Sequence, residues 1–313
     1  MGGQTAPEGG KPHEGTKTMQ DDDLLISSAA LTVRVARPGI RYRGTRFDWT
    51  GFITQVTLDG THTFCTPEAT DGTGTGGDGL SNEFGIFDPV GFEDAPPGET
   101  FPKLGVGLLR RDSAEPYRFS HRYAVEPFPI RVESGAARVA FVCDPLPCRG
   151  YAARLEKTLA VAGRRLSIHY RLANVGEKTL RTTEYCHNFL AIDGHAVGPA
   201  YRLQVPFATC GRVTEPLLAQ GREITWSRTP DHAFYHPMEG EDVQAAQWWE
   251  LAHSPSGVRV RETVSPGYFR LTLWGTGRVV SPEAFVRVEV APGETQEWQR
   301  EYTFDAPHPA AGA

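Results

Sequence analysis

The stretch Leu166, Ile168, Tyr170, Leu172 alternates with Arg165, Ser167, His169, Arg171. Four apolar positions share one face and four polar or charged positions share the other. A period of two residues is the signature of a strand with one buried face. The pattern recurs along the chain: Leu31, Val33 and Val35; Val258, Val260, Glu262 and Val264; and Phe285 to Val290. Trp298 to Phe304 reads as a last strand. Turn residues separate these runs, as at Asn174 to Lys178 and at Pro292-Gly293. No window longer than a dozen residues carries a convincing 3.6 period; Val243 to Leu251 is the best helical stretch. The chain holds 34 glycines and 24 prolines among 313 residues. These are the two poorest helix residues, and here they punctuate strands.

The reading is therefore all-β: one large domain built as a sandwich of big antiparallel sheets. Residues 1–22, polar and almost free of apolar side chains, are expected to form a flexible N-terminal tail. Residues 23–307 form the domain, and 308–313 a short C-terminal tail. No linker divides the body into two cores.

A net charge of −6 without a basic stripe argues against a nucleic-acid partner. The apolar runs are too short to cross a bilayer, and residues 1–20 lack a signal-peptide core, so no membrane partner and a cytoplasmic location are expected. Five cysteines without metal spacing fit buried free thiols in a reducing compartment. Gly72 to Gly77 formally matches a dinucleotide-binding glycine pattern, but no strand precedes it and no helix follows, so it reads as a loop. His232 and His236 are four apart; Pro230 and Pro237 place them on a loop rather than on a metal-binding helix, where His236 is expected to line a sugar site. Trp248-Trp249 could stack on a pyranose ring, with core packing as the alternative. No metal site and no cofactor are expected. Monomer and dimer both remain open.

The segment LSIHYRLANVGEKTLRTTEYCHNFLAID, Leu166 to Asp193, resembles the aldose 1-epimerase (galactose mutarotase) family. The matching residues are Asn174, Gly176, Lys178 and Leu180 in the turn, then His187 followed by Asn188-Phe189-Leu190. Gly44-Thr45-Arg46-Phe47-Asp48 looks like the early segment whose arginine reaches the sugar. Ser281-Pro282-Glu283-Ala284-Phe285 looks like the segment with the catalytic glutamate. The resemblance covers roughly Leu24 to Phe304 and implies the galactose mutarotase-like supersandwich. The family's early histidine, followed by Gly-Gly, is missing. The matching stretch here, Gly79 to Gly85, offers Asn82 and Glu83 instead, which marks a divergent branch. His121 could supply an imidazole from elsewhere.

The resemblance implies sugar-anomer interconversion with a small-molecule sugar as partner. Ring opening needs a base to take the proton of the anomeric hydroxyl and an acid to protonate the ring oxygen. It needs no metal, nucleotide or covalent intermediate. Glu283 is assigned as base and His187 as acid, the nearby carboxylate being expected to keep the imidazole protonated. Arg46 would hold sugar oxygens with its forked donors. Asp48, two residues on along a strand, would share its face. Trp274 and Tyr185 are aromatic neighbours or core. No arginine or lysine cluster that would demand a phosphate is expected near the proposed site. Two alternatives keep the fold: another sugar reaction, such as a lyase or a different isomerisation, and a non-catalytic carbohydrate-binding protein.

Overall fold

The computed structural model describes residues 23–71, 73–209, 213–238 and 247–307. Both expected tails lie outside these residues, as do Gly72 and Val243 to Ala246. The described chain is built of strands, and its one helical turn is a 3-10 turn at Ile192–Gly194.

Two large antiparallel sheets dominate. The first has nine strands. Its order runs Leu24–Ser27, Leu31–Ala36, Phe52–Leu58, Leu80–Phe84, Leu180–Asn188, Val280–Val290, Arg270–Gly275 and Phe234–Met238, with His62–Thr63 beside Phe52–Leu58. The second has ten strands, from Leu217–Gln220 at one edge to Ile130–Ser134 at the other, with Val258–Ser265, Thr295–Asp305, Arg165–Asn174 and Ala153–Ala162 at its centre. A small third sheet, Thr100–Lys103, Gly107–Arg110 and Val125–Pro127, belongs to the excursion between Phe84 and Ile130.

The alternation explains how the sheets face each other. Leu166, Ile168, Tyr170 and Leu172 are fully buried, while their polar neighbours point outward. On the paired strand Trp298, Arg300, Tyr302 and Phe304 occupy the matching inward positions. From the first sheet Phe64 and Phe84 reach across to Phe304 and Trp298. One apolar core thus fills the space between the sheets. Each large side chain buried there contributes roughly 1.5–3 kcal/mol.

Three local expectations are corrected. Residues 248–251, the described end of the helical stretch, lie in the strand Trp248–His253, paired with Val258–Ser265. Aromatic and apolar side chains alternate there, which suits a pleated surface better than a helix. Gly44 to Asp48 is irregular chain rather than strand, so Arg46 and Asp48 need not share a face. His236 belongs to the strand Phe234–Met238 rather than to a loop; a sheet-edge strand tolerates its Pro237. Four cysteines, Cys65, Cys143, Cys148 and Cys186, are buried free thiols. Among the described residues no helix is long and apolar enough to cross a membrane.

Candidate active site

Strand register brings the central pair together. Leu180–Asn188 and Val280–Val290 are antiparallel, with Glu184 opposite Val286 and Tyr185 opposite Phe285. The bridge between Leu190 and Val280 continues that register. Two residues past Tyr185, His187 therefore meets Glu283 across the strands. The imidazole Nε2 lies 3.2 Å from the carboxylate Oε1. Both side chains are buried, at 4% and 6% exposure. They sit on the face of the first sheet that turns away from the second.

Around the pair opens a cleft of about 400 Å³. Tyr235 and Trp274, opposite each other on neighbouring strands, form one wall. Phe119, Ile86 and Phe87 form another, and Glu68 and Thr75 close the rim. Phe189 stacks on the His187 ring at 3.9 Å, and Trp274 meets it edge-on at 4.9 Å. Gly77 permits this packing: a Cβ there would collide with the Phe189 ring. The imidazole is thus held in one orientation by rings rather than by hydrogen bonds. Its buried Nδ1 has no hydrogen-bond partner among the described residues. An unpaired buried nitrogen costs stability and is characteristic of functional sites.

The electrostatics differ from the sequence expectation. Burial holds the His187 imidazole well below its ordinary value, and the Arg46 charge adds to the effect. The ring is therefore neutral rather than kept protonated by its carboxylate neighbour. Burial pushes the Glu283 carboxyl up to about 7, against the hydrogen bonds of Thr272 and Ser281 and the charge of Arg46. Thr272 Oγ1 donates to Oε2 at 2.7 Å, and Ser281 Oγ to Oε1 at 3.3 Å. Near neutral pH the carboxyl therefore gains or loses its proton while the imidazole beside it stays neutral.

Arg46 lines the cleft and is tightly held. Its Nε donates to Glu83 at 2.9 Å, Nη1 to Thr75 at 2.9 Å and Nη2 to the Tyr185 hydroxyl at 3.0 Å. The guanidinium also lies between the rings of Phe47 and Phe119. Three of its five N–H groups are engaged within the protein, which leaves two for a bound molecule. Tyr185 in turn donates to Glu83 at 2.7 Å. Tyr185 is thus both core and cleft wall.

His187, Glu283, Arg46 and Trp274 accordingly share one cleft. The other expected site residues lie elsewhere. Glu83 points to the same face but is fully buried beneath Arg46, Lys103 and Tyr185. It positions Arg46 and does not line the cleft. Asn82, one residue away, points to the opposite, inter-sheet face, because successive strand side chains alternate. There it donates to Glu184 and accepts from Lys157. Asp48 is also buried between the sheets, held by Thr50 and Lys157. His121 bonds Asp112 at 2.6 Å in a separate cleft with Arg111 and Arg118. His236 alternates with Tyr235 and so faces away from the cleft that Tyr235 lines. Trp248 and Trp249 belong to the second sheet; Trp249 is core, and its indole donates to Glu262. Among the described residues no group of three or more His, Cys, Asp or Glu could hold a metal ion.

Sequence reasoning missed Tyr235, Phe119, Glu68 and Thr75. Tyr235 faces Trp274 across a strand pair, which only register reveals. The others come from loops, where no periodicity marks a side chain's direction.

No family model matches the chain, and no curated protein matches it in sequence. Solved structures do. A galactose mutarotase-like protein from Lactobacillus casei superposes with a TM-score of 0.58 at 12% identity, covering 90% of this chain and 100% of that one. A galactose mutarotase related enzyme from Lactobacillus acidophilus gives 0.57 at 10% identity, covering 91% and 97%. An aldose epimerase homologue from C. elegans gives 0.52 at 12%, covering 91% and 99%. At such identity the likeness concerns architecture: this chain has the galactose mutarotase-like fold, shared with distant aldose epimerase homologues.

Proposed function

We propose that the protein is a sugar isomerase of the aldose 1-epimerase type, interconverting the anomers of a free sugar or sugar derivative. The observation that carries this reading is the buried contact of His187 Nε2 with Glu283 Oε1, 3.2 Å apart at the cleft. Trp274 and Tyr235 line the same cleft, and aromatic faces suit the C–H face of a pyranose ring.

In this mechanism Glu283 takes the proton of the anomeric hydroxyl. The neutral His187 donates its N–H proton to the ring oxygen, and the ring opens. The C1–C2 bond rotates, and closure runs the transfers in reverse. Closure returns each proton to the group it came from, leaving Glu283 again ionised and His187 again neutral, so the pair is restored after each turnover. The remaining donors of Arg46 steady the oxygen that becomes the open-chain aldehyde. A carboxyl tuned to about 7 is matched to proton transfer at neutral pH.

Saturation-transfer NMR on a panel of aldoses tests the reading, using wild type, Glu283→Gln and His187→Asn. The expected result is acceleration of anomer exchange for at least one sugar, lost in both variants by about 10²–10⁴-fold. Sugar binding without acceleration would replace the enzyme by a binding protein. An unsaturated product absorbing in the ultraviolet would replace it by a lyase.

A further inference from the structure

A second cleft, of about 540 Å³, adjoins the first. Thr75 lines both, so one side chain forms the boundary between them. Tyr42 belongs to the second cleft, and its hydroxyl accepts the backbone N–H of Arg46, which lines the first. Three arginines converge on this second cleft: Arg41, Arg43 and Arg122. Arg41 and Arg43 stand two residues apart in the segment that leads to Arg46, and the fold brings Arg122 to them from about eighty residues further on.

No acidic residue lines this cleft. Arg41 is neutralised from behind by Asp78 at 2.8 Å and Asp23 at 3.5 Å. Arg43 spends its Nε on the Gly39 carbonyl at 3.1 Å and has no carboxylate partner among the described residues. Arg122 likewise has none among them. A chain with a net charge of −6 thus presents a recess lined by three arginines and no acidic side chain beside its candidate catalytic cleft. Guanidinium groups also match carboxylate, sulfate and phosphate with paired donors.

We propose that this recess is an anionic subsite. It holds a negatively charged substituent on the part of the sugar away from C1, while the ring occupies the neighbouring cleft. The substrate class is then an acidic sugar: a uronate, a sugar sulfate or a sugar phosphate. The inference rests on the reading above for the location of C1, but binding alone tests it.

Calorimetry on the full chain compares glucose with glucuronate, galactose with galacturonate, glucose with glucose 6-phosphate and galactose with galactose 6-sulfate. Anomer exchange is followed in parallel. At low salt at least one anionic sugar should bind about tenfold or more tighter than its neutral parent, and the preferred pair identifies the group. Salt should shrink the preference. In Arg43→Gln/Arg122→Gln the ratio of anionic to neutral affinity should fall towards one, whereas Arg43→Lys/Arg122→Lys should keep much of it. A structural defect would lower both affinities and leave their ratio. The proposal is overturned if no anionic sugar is preferred or binds, or if the preference survives the double glutamine variant. If the ratio responds as expected while no sugar's anomers exchange faster, the subsite stands and the isomerase reading fails. If exchange is catalysed with a ratio near one, the subsite alone fails.

Discussion

Two buried polar regions lie on opposite faces of the same strand, Leu180–Asn188, and their chemistry is opposite. Between the sheets Arg300 is fully buried. It donates to Glu184 at 2.7 and 3.2 Å, to Glu262 at 2.8 Å and to the Ala284 carbonyl at 2.9 Å. The two carboxylates also receive Trp298, Asn82, Trp249 and Tyr302. Burial opposes the Arg300 charge, but Glu184 and Glu262 outweigh it and hold the guanidinium well above its ordinary value. On the cleft face His187 and Glu283 are just as buried, yet Glu283 is met by two hydroxyls and an imidazole instead of a permanent cation in contact. Its carboxyl rises to about 7. Contact with a permanent cation locks charge in place; neutral donors leave a proton free to move. Equal burial therefore yields a fixed structural cluster on one face and a proton-transfer pair on the other.

Removing the permanent cation should have the largest effect on stability. Arg300→Met strands two buried carboxylates and should cost about 3–5 kcal/mol in denaturant unfolding. Adding Glu184→Gln and Glu262→Gln should recover most of that. A neutral Arg300→Met would erase the distinction between the two regions.

The cleft face should show the reverse sign. The folded Glu283 carboxyl titrates near 7 against an ordinary value of 4.5. The folded state therefore holds that proton more tightly. Its contribution is fully present below pH 4.5 and is lost as pH rises to about 7, a change of about 3 kcal/mol at most. Glu283→Gln should thus be more stable than wild type above pH 7, and the two should converge below pH 4.5. Thermal midpoints across that range measure it; a glutamine variant that is less stable at pH 8 would contradict the assignment.

A smaller effect comes from the packing that orients the imidazole. Gly77→Ala drives a methyl into the Phe189 ring, which stacks on His187. Overpacking of this kind costs about 1–3 kcal/mol. It should lower kcat more than it raises KM, because it moves the acid rather than the cleft walls. The smallest effect is expected outside both regions. Arg181→Ala breaks an exposed pair with Glu289 and should change stability by under about 1 kcal/mol.

Much of this was legible in the residues. Alternation marked the strands, and the family-like turn before His187 pointed to one half of the pair and the Ser281-Pro282-Glu283 segment to the other. The inter-sheet cluster left a trace too: Glu262 stands on the apolar side of Val258, Val260 and Val264, and Arg300 between Trp298 and Tyr302. A period of two shows that such a side chain points inward, but not what it meets. That depends on register across four strands and on a second sheet. Parity also explains the misplacement of Asn82, since one residue separates the inter-sheet face from the cleft face. Arg46 and Asp48 diverge because their segment is irregular. Two of the recess arginines, Arg41 and Arg43, stand in the sequence just before Arg46, but the recess itself could not be read there, because Arg122 arrives from a segment about eighty residues beyond Arg43.

The pH dependence of anomer exchange tests the central claim most directly. With the sugar that the panel identifies, the wild-type rate above buffer should rise as pH increases, be half-maximal near pH 7 and level off about one unit above it, as Glu283 becomes ionised while His187 stays neutral. Glu283→Gln should remain at the buffer rate throughout. A wild-type rate that is flat from pH 5 to 8, or a glutamine variant that retains it, would contradict the assignment of Glu283 as the proton-transfer base.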